Sequence, residues 1–399
     1  MMEAKTRSVL LLAAVEVMTM SLWFVSAAIL PDLVAEGGLS AARAAALSSA
    51  VQIGFVAGAL GLALHGTADR FDPRKVLAIC AAIGGAANLA LLVTPIGGAA
   101  QIALRFLTGA CLAGVYPVGM KIVVGWGTRD RGFLVGLLVG ALTLGSALPH
   151  LFAFLGGANW RLTVGATSGL ALLSAGLVLA AALGPAHARA ARFDPGAVWL
   201  AWTDRRIRLA FAGYLGHMWE LYAFWAWIGA ALTAAFSLRI GADAAQSAAR
   251  LVTFIAIATG GLLCLPAGWF ADRIGKARVA RLAMIASGSA ALATALGFGG
   301  PVWLVALLAI LWGAVVIPDS AQFSALVADA APPERAGSLM SLQTALGFTL
   351  TFFTVQAVPV AAHAWGWPLT LALMSLGPVL GVEAMRRLMT MTARISTAG

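Results

Sequence analysis

The sequence predicts an all-α integral membrane protein with twelve transmembrane helices arranged as two pseudo-symmetric six-helix bundles. Three observations carry that expectation. The 399 residues are 61% hydrophobic and only 11% charged, whereas a water-soluble globule has roughly a quarter of its residues charged. Lipid is therefore the solvent for most of the chain. Apolar runs of about 20 residues, the length that spans a hydrocarbon core of about 30 Å, follow one another with short polar breaks. Charged and aromatic residues recur in pairs at a separation of 203 or 204.

In order, the apolar runs fall at residues 8–30, 44–65, 76–96, 101–124, 132–153 and 162–184, then at 208–236, 250–270, 279–299, 302–327, 336–358 and 367–385. The first is too long and too lightly flanked for a cleaved signal peptide, so it reads as helix 1. The longest basic and polar stretch separates the two sets. Residues 1–184 thus read as an N-terminal six-helix bundle, 185–207 as a linker, and 208–399 as a C-terminal bundle with a short tail. Lys5, Arg7, Arg70, Arg74, Lys75, Arg273, Arg335 and Arg386 fall on the side of the N-terminus, while Arg43, Arg161, Arg239 and Arg250 fall on the other. The positive-inside rule then places both termini in the cytoplasm, the chain being a multi-pass protein of the cell (inner) membrane. This placement accounts for the net charge of +10 without a nucleic-acid partner. Cys80, Cys111 and Cys264 each stand alone in an apolar run, and no disulfide is expected.

The repeat is anchored three times. Asp69-Arg70 after helix 2 recurs as Asp272-Arg273 after helix 8, 203 residues on. Asp130-Arg131 recurs as Glu334-Arg335, and Glu16 with Trp23 recurs as Glu220 with Trp227, both 204 residues on. Concordant offsets of this kind mark an internal duplication. With these residues in view, the chain resembles the major facilitator superfamily of secondary transporters over nearly its whole length. The family's loop signature, G-x-x-x-D-R-x-G-x-R-R/K, is matched at Asp69, Arg70, Arg74 and Lys75, and it departs at His65 and Asp72. The second copy keeps Gly268, Asp272, Arg273, Gly275 and Arg278. RFLTG from Arg105 to Gly109 and the Trp160-Arg161 pair are further family-like features. The resemblance implies that Asp69, Arg70 and Arg74, with Asp272, Arg273 and Arg278, act as a cytoplasmic latch through charge-assisted hydrogen bonds to helix ends. The alternative is charge that only fixes loop topology.

Charges inside the membrane are costly, at least about 2.5 to 3.5 kcal/mol at the bilayer centre, and are seldom kept without a use. Five such residues stand out: Glu16, Arg105, Lys121, Glu220 and Asp319. They fall on helices 1, 4, 7 and 10, which line the central cavity in the resembled family, so a shared aqueous cavity is expected. Helix 7 reads GYLGHMWELYAFWAW, which sets His217, Glu220, Phe224 and Trp227 in one stripe. His217 and Glu220 are then placed to share a proton, with Tyr222 beside them. The alternatives are an interfacial aromatic belt and a histidine bonded to a carbonyl. Glu220 lies roughly 18 Å along its helix by helical rise, too deep for a belt. Glu16 matches it in depth, with Trp23 on its face, unless it is a satisfied structural carboxylate. Lys121 either binds an anion or snorkels to the interface. Asp319, behind Pro318, sits where a bridge to Lys121 would close a cytoplasmic gate.

The sequence holds no phosphate-cradling G-x-x-x-x-G-K-[ST], no paired metal ligands and no nucleophile elbow. An enzyme, a bound cofactor and a metal site are not expected, although His217-Met218 and Met18 with Met20 are soft copper ligands. The expected activity is secondary active transport of a small organic anion or zwitterion by a monomer in the lipid bilayer, coupled to protons. The proposed substrate and proton contacts are Glu16, Trp23, Arg105, Lys121, His217, Glu220, Tyr222, Trp227 and Asp319. Proton-driven efflux of amphipathic compounds is the alternative within the class. A non-transporting sensor or assembly factor is the alternative outside it.

Overall fold

The computed structural model describes residues 2–65, 67–127, 130–157, 159–185 and 196–398, and every regular element among them is helical. The membrane helices, in chain order, are α1 (Met2–Met20 and Val25–Gly37), α2 (Ala41–His65), α3 (Pro73–Leu89), α4 (Ala99–Leu112 and Tyr116–Val124), α5 (Arg131–Leu155) and α6 (Trp160–Leu177). They continue as α7 (Arg205–Phe236), α8 (Ala242–Ile274), α9 (Lys276–Gly297), α10 (Val302–Val316 and Ser320–Ala330), α11 (residues 333–365) and α12 (residues 367–398). Most of the expected linker, 186–195, lies outside the described residues. It leads into a short helix, Ala197–Thr203, whose Trp199 and Trp202 are exposed.

Among the described residues, ten stretches are long and apolar enough to cross a membrane. Two physical facts reconcile ten with twelve. The last stretch, Arg335–Met391, has 57 residues. At 1.5 Å per residue that is about 85 Å, close to three hydrocarbon thicknesses. It folds back at Gly366, where φ is 79° and ψ is 164°, a left-handed excursion that glycine allows. The missing member is α7, where His217, Glu220 and the tryptophans dilute the apolar character of a 32-residue helix.

Among the described residues α1, α4 and α10 are each broken by three or more non-helical residues, and α12 by the single turn residue Ser375. In α1 the chain leaves helix between Met20 and Val25, and the turn is held by Leu22 N–H to Thr19 O at 3.1 Å and Trp23 N–H to Met20 O at 3.0 Å. The break in α4 covers 113–115 and that in α10 covers 317–319, so the two are again 204 residues apart. Pro117 and Pro318 sit at these breaks, where the missing N–H and the ring oppose helical continuation. The repeat therefore preserves a backbone interruption as well as side chains. It is not preserved between α1 and α7, since α7 runs unbroken through Trp225 to Ile228.

The end of the bundle carrying the N-terminus is called the near face below, and the opposite end the far face. Helices α5 and α8 form the most extensive packing in the molecule and touch along their length. A Cβ on Gly136 would lie 3.3 Å from Cys264 O, and one on Gly140 would lie 2.7 Å from Gly261 O. Only small residues permit helices to approach so closely in lipid. Gly54 and Gly58 of α2 serve the same purpose against α4, facing the Phe106 and Ala110 carbonyls. Helices α2 and α11 make a second seam, with Gln356 donating to Ser49 Oγ at 2.8 Å.

Candidate functional site

The break in α1 positions two adjacent aromatic rings, Trp23 and Phe24, where a continuous helix would have turned them to different faces. Trp23 lies 4.9 Å from Phe55 of α2, 5.6 Å from Tyr222 of α7 and 5.5 Å from Phe348 of α11, measured between ring centroids. Phe24 meets Trp225 edge-on at 5.5 Å, and Phe55 meets Phe348 at 4.4 Å. These six rings come from four helices on both sides of the repeat, and all are buried. Separations of 4.5 to 7 Å are those at which aromatic pairs attract beyond simple area burial. Two donors in the cluster, Trp23 Nε1 and Trp225 Nε1, have no hydrogen-bond partner.

Arg105 explains why the α1 break persists. Its guanidinium is fully buried and donates from Nη2 to Leu22 O at 2.9 Å and Trp23 O at 2.7 Å, and from Nη1 to Asn88 Oδ1 at 3.0 Å. Asn88 is held in turn by Thr167 and Ser168 of α6. The sequence placed Arg105 in an aqueous cavity as an anion-binding group. It instead answers carbonyls freed by the broken helix, facing α1 and α3 inside its own bundle.

The two glutamates differ more than their repeat suggests. Glu16 is buried against the second segment of α4, where a Cβ on Gly119 would lie 3.0 Å from Oε2, and its Oε1 has no donor. Glu220 accepts from Trp312 Nε1 of α10 at 2.7 Å and from Ser287 Oγ of α9 at 2.9 Å. Its carboxylate therefore faces outward into its bundle, away from the six rings. Phe224 packs on the same Trp312 at 4.7 Å, and Trp227 donates to Val355 O of α11 at 2.9 Å.

The expected proton sharing between His217 and Glu220 is corrected accordingly. Three residues along a helix rotate a side chain by about 60°, enough to aim the pair at different neighbours. His217 Nδ1 lies 2.9 Å from Asp319 Oδ1, an ion-pair distance with both side chains almost fully buried. The angles miss hydrogen-bond geometry, so His217 Nδ1 and Nε2 and Asp319 Oδ1 have no hydrogen-bond partner. Asp319 sits in the α10 break itself. The expected Lys121 to Asp319 bridge is likewise replaced by this pair, because the break turns the carboxylate toward α7. Lys121 lies half-buried on the second segment of α4. Among the described residues, no group of three or more His, Cys, Asp or Glu gathers to hold a metal ion.

On the near face, the side chain of Asp69 lies outside the described residues. Arg74 was expected to reach a neighbouring helix end, and in part it does, donating to Ala181 O beyond α6 at 3.0 Å. Its main partner is Asp72, at 2.7 Å. Asp72 also caps α3 by accepting the Arg74 N–H, and the Arg74 guanidinium holds its carboxyl below the usual carboxylate range. The departure from the family glycine at this position is thus a helix cap. Arg273 stacks on Trp269 of its own helix, Cζ lying 3.4 Å from the ring centroid. Arg70 and Arg278 are exposed. Asp272 reaches across the repeat: a Cβ on Gly132, in the first turn of α5, would lie 3.4 Å from its Oδ2.

The sequence reading missed the far-face counterpart. Arg250 of α8, expected only as one of the few charges on the side away from the N-terminus, is 7% exposed and donates from Nη2 to both oxygens of Asp32 in α1 at 2.6 Å. Gln246 adds a bond to Asp32 at 3.1 Å, and Arg250 Nη1 reaches Ala153 O of α5 at 3.1 Å. Neither residue falls in the repeat, so pattern alone gave no signal beyond an aspartate lodged behind Pro31 in an apolar run.

Comparison with known proteins places this geometry. Over 144 residues, 32% of this chain, the sequence is 33% identical to a gallate transporter of Pseudomonas putida, and the match spans 31% of that relative's length. Solved structures align along almost the whole chain. A D-xylose-proton symporter superposes with a TM-score of 0.73 at 16% identity, over 95% of this chain and 96% of that one. The xylose transporter XylE from E. coli, in a partially occluded inward-open conformation, gives 0.72 at 14% identity, over 96% and 98%. The nucleoside transporter NupG gives 0.70 at 16% identity, over 97% and 99%. At such identities the likeness speaks for the fold. Residues 11–355 match the family described as Major Facilitator Superfamily, and with twelve helices in two related six-helix bundles the chain belongs to that superfamily.

Proposed function

We propose that the chain is a secondary active transporter that moves a small organic anion across the membrane by alternating access, coupled to protons. The single observation that carries this reading is the six-ring cluster at the α1 break. It joins helices from both sides of the repeat, it is buried, and it contains two indole N–H donors that none of the described residues answers. A flat, hydroxylated aromatic solute supplies what the cluster lacks: faces to stack and oxygens to accept. The local match to a gallate transporter supports the same class, an aromatic carboxylate such as gallate. In this reading residues 1–184 and 208–399 rock about the cluster as a monomer, with 185–207 as the linker. Both termini lie in the cytoplasm at the inner membrane, so the near face is cytoplasmic.

Proton coupling rests on two buried carboxylate oxygens that no hydrogen bond satisfies, Glu16 Oε1 and Asp319 Oδ1, the latter at ion-pair distance from His217 Nδ1, and each is beside a broken helix. An ionised oxygen buried without a donor is costly, so a change in its surroundings as the halves rock moves a proton. Glu220, held by two donors, is the less suited of the three.

The test is counterflow. Proteoliposomes loaded with unlabelled gallate should transiently accumulate external labelled gallate. Trp23→Ala should reduce the initial rate at least tenfold, because it removes the ring that meets four others and one of the two free donors. Absence of counterflow in the wild type sinks the substrate class. Exchange of amphipathic cations in its place would favour efflux of such compounds.

A further inference from the structure

One turn beyond the aromatic cluster, toward the far face, lies a cavity of about 30 Å³, the room of one water. Ala28 and Ala226 line it, Ala28 lying one turn beyond Phe24 on α1 and Ala226 following Trp225 on α7. Its polar wall comes from both bundles: His150 of α5 and Arg250 of α8 line it, and Gly229 between them faces Thr253 Oγ1, at 3.3 Å from an added Cβ, and His150 Cε1, at 3.9 Å. His150 Nε2, Thr253 Oγ1 and Arg250 Nε are all buried and have no hydrogen-bond partner. The relative exposures are 3%, 0% and 7% respectively. Unanswered buried polar atoms are uncommon in a native interior, and here two of them, His150 Nε2 and Arg250 Nε, belong to residues that line one small space, where Arg250 Nη2 already donates to both oxygens of Asp32 while Nη1 donates to Ala153 O and Gly157 O.

We infer that Arg250, with His150 and Thr253, is the carboxylate-recognition subsite for solute entering from the far face, and that Asp32 occupies it as an internal surrogate when no solute is bound. The inference rests on the proposed substrate class. Its logic is geometric. An arginine fork matches a planar carboxylate with two parallel hydrogen bonds, and an aromatic ring attached to that carboxylate would extend one turn inward onto Phe24 and Trp225. For the far face to open, α1 must part from α8, which withdraws Asp32 and leaves the buried Arg250 charge without its carboxylate, with Nη1 still held by the Ala153 and Gly157 carbonyls. Leaving one partner of such a pair alone is strongly unfavourable, so a solute carboxylate that takes the place of Asp32 stabilises the open state in a way a neutral solute does not. Recognition and opening are then the same event. Arg105, the other deeply buried arginine, is excluded from this role because both its Nη atoms are committed to acceptors inside its own bundle, Leu22, Trp23 and Asn88, whereas Arg250 Nη2 donates to a carboxylate of the opposite bundle.

The test uses the purified full-length chain, titrated with gallate and with its carboxamide, 3,4,5-trihydroxybenzamide, while tryptophan fluorescence is followed. The wild type should prefer gallate. Arg250→Gln should weaken gallate at least tenfold while changing the amide less than twofold, erasing the preference, and Arg250→Lys should fall between because an ammonium lacks the fork. Asp32→Asn keeps Arg250 and removes its competitor, so gallate should bind at least fivefold more tightly, with the amide unchanged. Should Arg250→Gln fail to fold, the Asp32→Asn result decides. A wild-type preference retained in Arg250→Gln, or no tightening in a monodisperse Asp32→Asn, overturns the assignment and leaves the substrate class standing. A wild type that binds neither compound overturns both.

Discussion

Arg105→Leu is expected to lose most exchange activity, at least tenfold, and to lower the thermal unfolding midpoint by several degrees in detergent. The substitution leaves Leu22 O, Trp23 O and Asn88 Oδ1 without their donor in a buried region. Each unanswered buried group costs about 1–3 kcal/mol, against a total stability of about 5–15 kcal/mol for a typical domain. The α1 turn would then relax toward continuous helix, which rotates Trp23 away from Phe55, Tyr222 and Phe348. Activity should fall further than stability, since the cluster depends on the break while the rest of the bundle does not. Arg105→Lys keeps the charge but offers no planar fork, and an intermediate loss is expected. Thermal melting followed by intrinsic fluorescence, paired with counterflow, checks both halves of the statement. A leucine variant with wild-type midpoint and wild-type rate would show that the break is held by something else.

The second large effect concerns coupling. Asp319→Asn should abolish uphill accumulation of gallate while leaving counterflow within about threefold of wild type. Exchange needs the site to reorient loaded, whereas uphill movement needs the proton to be released and rebound, and the amide cannot carry it. His217→Gln should slow uphill accumulation more than counterflow, because it removes the side chain that lies 2.9 Å from Asp319. Glu220→Gln is the control. Its two donors, Trp312 and Ser287, fix it to α10 and α9 as a packing element, so a lowered melting midpoint with coupling retained is expected. The reverse pattern, coupling lost in Glu220→Gln and kept in Asp319→Asn, would restore the proton to helix 7 as the sequence first suggested.

The fold was legible because lipid imposes a simple code. Apolar length and a repeat at 204 residues are enough to count the spans, even α7, whose polar content dilutes its apolar character. The break in α10 was foreshadowed by Pro318. The break in α1 was not, because SLWFV from Ser21 to Val25 contains no proline or glycine. It exists because a residue on another helix, Arg105, takes up the carbonyls it frees. The same reason limits reading of the site. Residue type shows that Glu16, Arg105, His217, Glu220 and Asp319 are costly to bury, but the partner of each is set by helix rotation and tertiary neighbours. Hence His217 found Asp319 rather than Glu220, and Arg105 found backbone rather than solute. Phe55 and Phe348 were invisible as site residues, since a phenylalanine in an apolar run carries no mark until a neighbour meets it.

The central claim, that this chain couples the movement of a small aromatic carboxylate to protons, is tested most directly by following both at once. Proteoliposomes of the purified protein, with the membrane potential clamped and a pH-sensitive dye outside, are given gallate at equal pH on both sides. The account predicts that gallate entry alkalinises the external medium, that Asp319→Asn abolishes the signal, and that Trp23→Ala reduces it in proportion to flux. Gallate entry with no accompanying proton movement would contradict the coupling, and no gallate entry at all would contradict the account as a whole.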